Sequence, residues 1–240
     1  MGILFANSLL DGFLKSNFTG QGIVLIQIAL SVLMFSVIIK KWLKIAAIST
    51  VTRRFLHDFG SGRDVLDYYL QRRKSDHTPL ENIYIATCER LLKLLTPDAR
   101  SLLMGRTPGS SAALSAREVE LVRATCEHTL DEEEIGVEHG MGLISTVVAL
   151  SPMLGLLGTV WGVLDAFADM GNAASASLAT LAPSISAALL TTVVGLLVAF
   201  PGLIMHSMLS SKVRSLTSQM EGFADELSGR IACEFQGRAA

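Results

Sequence analysis

Three stretches of the chain contain no Asp, Glu, Lys or Arg: Ser16–Ile39, Gly140–Leu164 and Met170–Ser211, which hold 24, 25 and 42 residues. An α-helix rises about 1.5 Å per residue and the hydrocarbon core is about 30 Å thick, so about 20 apolar residues make one crossing. The first two stretches each fit one crossing. The third is too long for one, but its opening, Gly171–Ser177, is small and polar and predicts a loop ahead of a crossing at 178–206. The pattern therefore predicts an all-α integral membrane protein with transmembrane helices at 22–39, 140–164 and 178–206.

The polar segment between the first two crossings, 40–139, shows helical rather than alternating periodicity. Tyr84, Cys88, Leu91 and Leu95 recur at three-four spacing within Glu81–Met104, the signature of an amphipathic helix. Thr107–Ser111 (Thr-Pro-Gly-Ser-Ser) reads as a turn. Ser115-Ala-Arg-Glu118 reads as a capping box, where hydroxyl and carboxylate satisfy each other's unpaired amides. A second stripe, Val119, Val122, Cys126 and Leu130, leads into the second crossing and predicts one continuous helix from about Ala116 past Leu164. Val213, Leu216, Met220, Phe223 and Leu227 extend the third helix into a C-terminal helix at 207–240. The second and third transmembrane helices thus continue beyond the bilayer as long helices.

Charge sets the expected orientation. Lys40, Lys41, Lys44, Arg53 and Arg54 follow the first crossing, whereas only Lys15 precedes it. The positive-inside rule then puts segment 1–21 outside and the insert 40–139 in the cytoplasm. Asp165 and Asp169, in the expected short loop 165–177 that has no basic residue, suit the external side, and Lys212 and Arg214 mark the return to the cytoplasm. Basic residues follow the first apolar run instead of preceding it, so it does not read as a signal peptide. Arg63, Arg72, Arg73 and Lys74 continue the basic character of the insert and suit contact with anionic lipid heads, with a solvated helix face as the competing reading.

Composition excludes several functions. Charged residues are 18% of the chain and the formal net charge is −2, which argues against a nucleic-acid binder. Cys88, Cys126 and Cys233 are widely spaced and suit a reducing compartment. There is no phosphate-cradling GxxxxGK[ST] and no metal-ligand spacing; the five histidines are scattered and read as structural or surface residues. The acidic run Asp131–Glu134 with Glu138 reads as a solvated helix face, or as a cation-attracting rim. No group of residues reads as catalytic, and no cofactor is implied.

The informative residues lie in the second and third crossings. Ser151, Gly155, Thr159 and Gly162 share one helical face; Ser184, Ala188, Thr192, Gly195 and Ala199 share another. Small residues let helices approach closely in lipid, where hydrophobicity gives no drive to associate. Gly155, Gly158, Gly162, Ala188 and Gly195 are the expected packing positions, and threonine hydroxyls also bond their own helix carbonyls. Packing does not explain why two hydroxyl-bearing faces lie at similar depth. No ionisable residue lies near the centre of any crossing, and proton translocation usually needs an intramembrane carboxylate or histidine. An ion-driven machine built on this chain must take its carboxylate from another subunit.

Leu150-Ser-Pro-Met-Leu-Gly-Leu-Leu-Gly-Thr-Val-Trp-Gly162 and Ala182-Pro-Ser-Ile-Ser-Ala-Ala-Leu-Leu-Thr-Thr-Val-Val-Gly195 resemble the TolQ/ExbB proteins, a family distantly related to the flagellar stator protein MotA. The three-crossing topology agrees along nearly the whole chain. The resemblance implies an inner-membrane subunit that forms a homopentameric ring around two copies of a single-crossing TolR/ExbD-like partner. An aspartate on that partner carries the ion, and the work passes through a TolA- or TonB-like transducer to the outer membrane. Thr159 and Thr192 match the family's two threonines facing that aspartate; Ser184 and Thr191 join them along the ion path. Pro201 matches a helix-end proline, and Pro152 and Pro183 complete the helix-shaping set.

Ala187 stands where the family often has glutamate, which leaves the ring without its own carboxylate. The proton is the expected ion; sodium is the alternative, with Ser184, Ser186 and Thr191 as added oxygen ligands. Leu10-Asp-Gly-Phe-Leu-Lys-Ser16 resembles the TolQ amino-terminal pattern and favours envelope integrity and cell division over ExbB-like nutrient import. MotA-like stators have four crossings, which argues against a flagellar role. A passive membrane scaffold is the competing class. A small-solute carrier is disfavoured by the absence of repeats or broken helices.

Overall fold

The computed structural model describes residues 18–61, 65–66, 68–69, 78–95, 114–171 and 178–235. Helices α1 (Phe18–Ser61), α2 (Pro79–Leu94), α3 (Ala116–Glu138), α4 (Met141–Gly171) and α5 (Leu178–Phe235) make up the architecture, with no β-strand among the described residues. Three helical stretches are long and apolar enough to cross a membrane. The chain divides into two compact units. A membrane unit comprises Met1–Trp42 and Gly140–Ser210; an extramembrane unit comprises Leu43–His139 and Ser211–Ala240. The TolQ-like pattern Leu10–Ser16, the turn Thr107–Ser111, the basic residues Arg63, Arg72, Arg73 and Lys74, and positions 172–177 of the loop lie outside the described residues.

Helix α1 does not stop where the first apolar run stops; it continues through the basic segment to Ser61. Helix α5 runs 58 residues without interruption. Pro201 therefore lies inside a helix, not at its end. A proline removes one backbone hydrogen bond, and the helix continues on either side. The continuous helix expected from Ala116 past Leu164 is broken between α3 and α4, where Gly140 takes φ +85°. That left-handed conformation is cheap only for glycine, so His139, with ψ 129°, and Gly140 end α3 although the apolar stripe reads straight through.

In the extramembrane unit, the Thr78 hydroxyl accepts from the Glu81 amide at 3.4 Å and starts α2, with Pro79 in its first turn. Both halves of the Ser115/Glu118 box are formed, with the Ser115 amide donating to Glu118 Oε2 at 2.8 Å. Those hydrogen bonds hold the Glu118 carboxyl below its ordinary range, the Ser115 hydroxyl first and its amide second. Helix α2 packs on α3. Tyr84, Cys88 and Leu91 are buried as their spacing predicts, and so are Val213, Leu216, Met220, Phe223 and Leu227. Phe55, Phe59, Tyr68, Tyr84 and Phe223 form an aromatic cluster, edge-to-face except for the stacked Phe55–Phe59 pair, with Phe55 at its centre, 5.0 Å from Tyr68 and 5.3 Å from Phe223. The Tyr84 hydroxyl donates to the Val65 carbonyl at 2.6 Å and accepts from the Tyr69 amide at 3.0 Å, so this buried phenol leaves no polar atom unpaired. Burial pushes the neighbouring Cys88 thiol up to about 12, which leaves it a small hydrophobe at neutral pH.

Candidate functional site

Within the membrane unit α4 and α5 lie antiparallel with their small residues in register. Gly162 meets Ala188, Gly158 meets Thr191, Gly155 meets Thr191 and Thr192, and Ser151 meets Gly195. A methyl group added to Gly155 would lie 2.8 Å from Thr192 Cα and 3.0 Å from the Thr191 carbonyl oxygen. One added to Gly158 would overlap the Thr191 side chain, and one on Gly162 would lie 2.6 Å from Ala188 Cβ. These backbones touch because nothing larger than hydrogen separates them. The close approach supplies dispersion contacts in a solvent where apolar burial gains nothing.

The hydroxyls thread the same seam. Thr191 is fully buried, and its Oγ1 donates to the Gly155 carbonyl (3.0 Å) and to the Ala188 carbonyl of its own helix (2.7 Å). Thr192 is half-buried and also donates to the Gly155 carbonyl, at 2.9 Å. The Gly155 carbonyl thus collects two hydroxyls from α5. Ser151, buried, donates to the Val147 carbonyl at 2.8 Å; Thr159, half-buried, donates to the Leu156 carbonyl at 2.7 Å. Ser184 is half-buried and Ser186 exposed. Of the helix-shaping prolines, Pro152 is half-buried within α4, while Pro183 and Pro201 are exposed on α5. Ala187 is buried. The structure therefore brings Gly155, Gly158, Gly162, Ala188, Thr191, Thr192 and Gly195 together, and leaves Thr159, Ser184 and Thr192 partly open to whatever lines the bundle. His/Cys/Asp/Glu groups fit to hold a metal are absent among the described residues.

Sequence reasoning missed one member of the seam. Gln27 of α1 is fully buried, and its Nε2 donates to the Ser151 carbonyl at 3.1 Å and to the Thr191 carbonyl at 3.3 Å. The available signal was an amide inside a 24-residue charge-free stretch, screened for charge alone. Gly195 makes room for it, since an added methyl would sit 2.5 Å from the Ser151 oxygen and 2.9 Å from Gln27 Nε2.

Apolar crossings joined by glycine contacts and hydroxyl-to-carbonyl bonds define a multi-pass membrane protein with a polar seam and no ionised group at its middle. The chain belongs to the MotA/TolQ/ExbB proton channel family, whose sequence model matches residues 98–222, just over half of it. It is 29% identical over 234 residues to the Tol-Pal system protein TolQ of Haemophilus influenzae, covering 96% of both chains. It is 37% identical over 97 residues to the TolQ of Pseudomonas aeruginosa, covering 40% of this chain and 42% of that one. The biopolymer transport protein ExbB of Xanthomonas campestris matches at 34% over 123 residues, 51% of this chain and 48% of its own.

Proposed function

We propose that this chain is the ring subunit of an inner-membrane, proton-driven motor of the Tol-Pal type. It works as a channel component and not as an enzyme. In this reading five copies surround two single-crossing TolR/ExbD-like chains, the amino terminus lies in the periplasm and the extramembrane unit in the cytoplasm. Thr159, Thr192 and Ser184 face the partner's aspartate, while Thr191 buttresses them from behind. The proton motive force turns or shifts the partner, and a TolA-like transducer carries the work to the outer membrane. The observation that carries the reading is the half-open hydroxyl pair Thr159 and Thr192 beside a glycine seam in a bundle without its own acid. The near full-length similarity to a TolQ favours the Tol-Pal role; an ExbB-like role in TonB-dependent import is the second reading, favoured by the ExbB similarity.

The mechanism follows from what the residues offer. A hydroxyl has one hydrogen to donate and lone pairs that accept. With their hydrogens on the Leu156 and Gly155 carbonyls, Thr159 and Thr192 accept from a protonated aspartic acid, and turning the O–H away from the carbonyl lets each donate to the ionised form as it passes. Because the ring contributes no fixed charge here, the partner's carboxyl is free to be neutral while it faces apolar wall. Thr159→Val and Thr192→Val keep volume and remove the hydroxyl. Each is expected to assemble normally and lower proton flux into partner-containing vesicles by more than about tenfold, equal to about 1.4 kcal/mol in the barrier. Normal flux and full complementation by both variants would return the hydroxyls to a packing role and favour the scaffold.

A further inference from the structure

Gln27 is the only fully buried polar side chain of α1 within the described part of the membrane unit, and it touches the backbone of both other crossings. It lies on the buried stripe Ile23, Val24, Met34 and Ile38, so it faces the bundle and not lipid. Both partners of its terminal amide are carbonyl oxygens, which accept and cannot donate, so the nitrogen must be the end that faces them. The two hydrogens of one NH2 group are thereby spent on two different helices, α4 at Ser151 and α5 at Thr191. Oε1 is left on the other side, buried and without a hydrogen-bond partner. A polar group in that state carries an uncompensated desolvation penalty, and in a fold that needed only packing a leucine or methionine would avoid it.

The carbonyl that Gln27 holds belongs to Thr191, one peptide before Thr192. The Thr192 hydroxyl is aimed at Gly155, and the Gly155 carbonyl also receives Thr191. Gln27, Ser151, Thr191, Thr192 and Gly155 therefore form one connected hydrogen-bonded group across three helices. Gly195 is the cradle that lets the amide in, since a side chain there would displace it.

We propose that Gln27 is a positioning residue: its amide pins α1 to the threonine turn of α5 and so sets the backbone from which the Thr192 hydroxyl is presented. The inference rests on the motor reading given above, in which Thr192 serves ion transfer. Substitutions separate this role from plain stability. Gln27→Met keeps length and volume, suits lipid, and removes both the donors and the unpaired acceptor. Gln27→Glu keeps shape and adds the sole ionisable side chain of stretches 18–39, 141–164 and 181–205. Protonated, it gives one hydrogen to one carbonyl; ionised, it gives none and repels both.

The experiment uses the full chain with its single-crossing partner in vesicles, reading proton flux with a pH-sensitive dye, complex mass, and the solid-state NMR shifts of the Thr191 carbonyl and the Thr192 side chain. In Gln27→Met we expect unchanged complex mass, displaced Thr191 and Thr192 signals, and flux lowered by about tenfold or more. In Gln27→Glu we expect flux that falls reversibly as pH rises, beyond any change in the wild type. Unchanged Thr192 signals in Gln27→Met overturn the positioning role whether or not flux is seen. Displaced signals with wild-type flux overturn its relevance to transfer. Displaced signals in a system whose wild type carries no flux support the positioning and refute the motor reading instead.

Discussion

The two units of this protein differ in what stands on their outside: large apolar side chains on the membrane unit, few among the described residues of the extramembrane unit. In the membrane unit the seam between α4 and α5 is made of glycine, alanine, Ser151 and Thr191, with Gln27, Met34, Ile38 and Ile144 also buried, while Leu156, Val160, Leu164, Phe200 and Ile204 stand outward, each about 60% exposed in the single chain. In the extramembrane unit the large side chains are inside, with Phe55, Phe59, Tyr84 and Phe223 at 4% exposure or less. Water rewards burial of apolar area by about 25 cal/mol per Å². Lipid gives no such reward, so helices there cohere by close backbone approach and by polar bonds. One chain therefore uses two rules of cohesion, and α1 and α5 each obey both along their length.

That contrast can be broken most severely at the glycine seam. Gly158→Leu inserts four carbons where even a methyl overlaps Thr191. We expect no recoverable assembled complex after extraction, measured by size-exclusion chromatography, whereas Leu156→Ala on the outward face leaves the monomer's fold intact. Equal recovery of both variants would show that small-residue contact is not what holds this unit.

A smaller effect is expected from Phe223→Ala, which empties the position between Phe55 and Phe59. Loss of a buried phenylalanine costs about 3–5 kcal/mol, read as earlier denaturant unfolding of the extramembrane unit, while the Thr191 and Thr192 signals of the membrane unit stay in place.

The smallest effect tests charge. Burial first, then Glu221, Asp131 and Glu138, raise the Glu134 carboxyl above its ordinary range. A carboxyl raised in the folded state favours folding while protonated and opposes it once ionised. Glu134→Gln should therefore raise the melting temperature modestly at neutral pH, and the gain should shrink as pH falls through the carboxylate range. A constant gain at all pH values would assign it to something other than charge.

Much of this was legible along the chain because it is local. Charge-free length gave the crossings, Ser115 and Glu118 gave the start of α3, and the stripe from Val213 to Leu227 gave the buried side of α5. The small-residue faces were legible as faces, though not as each other's partners. The continuous helix expected past Ala116 failed at Gly140, since glycine is tolerated in helices and only the structure shows it adopting positive φ. Thr191 and Thr192 were grouped together on the ion path. They differ by about 100° around the helix, and the structure puts one fully inside the seam and leaves the other half open.

What the amino-acid order determined by itself is which segments are stable in lipid and which in water, since transfer free energy adds up residue by residue over a helix. What only the tertiary structure decided is which polar groups are spent on one another. Gln27 meets Ser151 and Thr191 across 124 and 164 residues of chain. A hydrogen bond requires its partners within about 3 Å, a distance that no local pattern encodes.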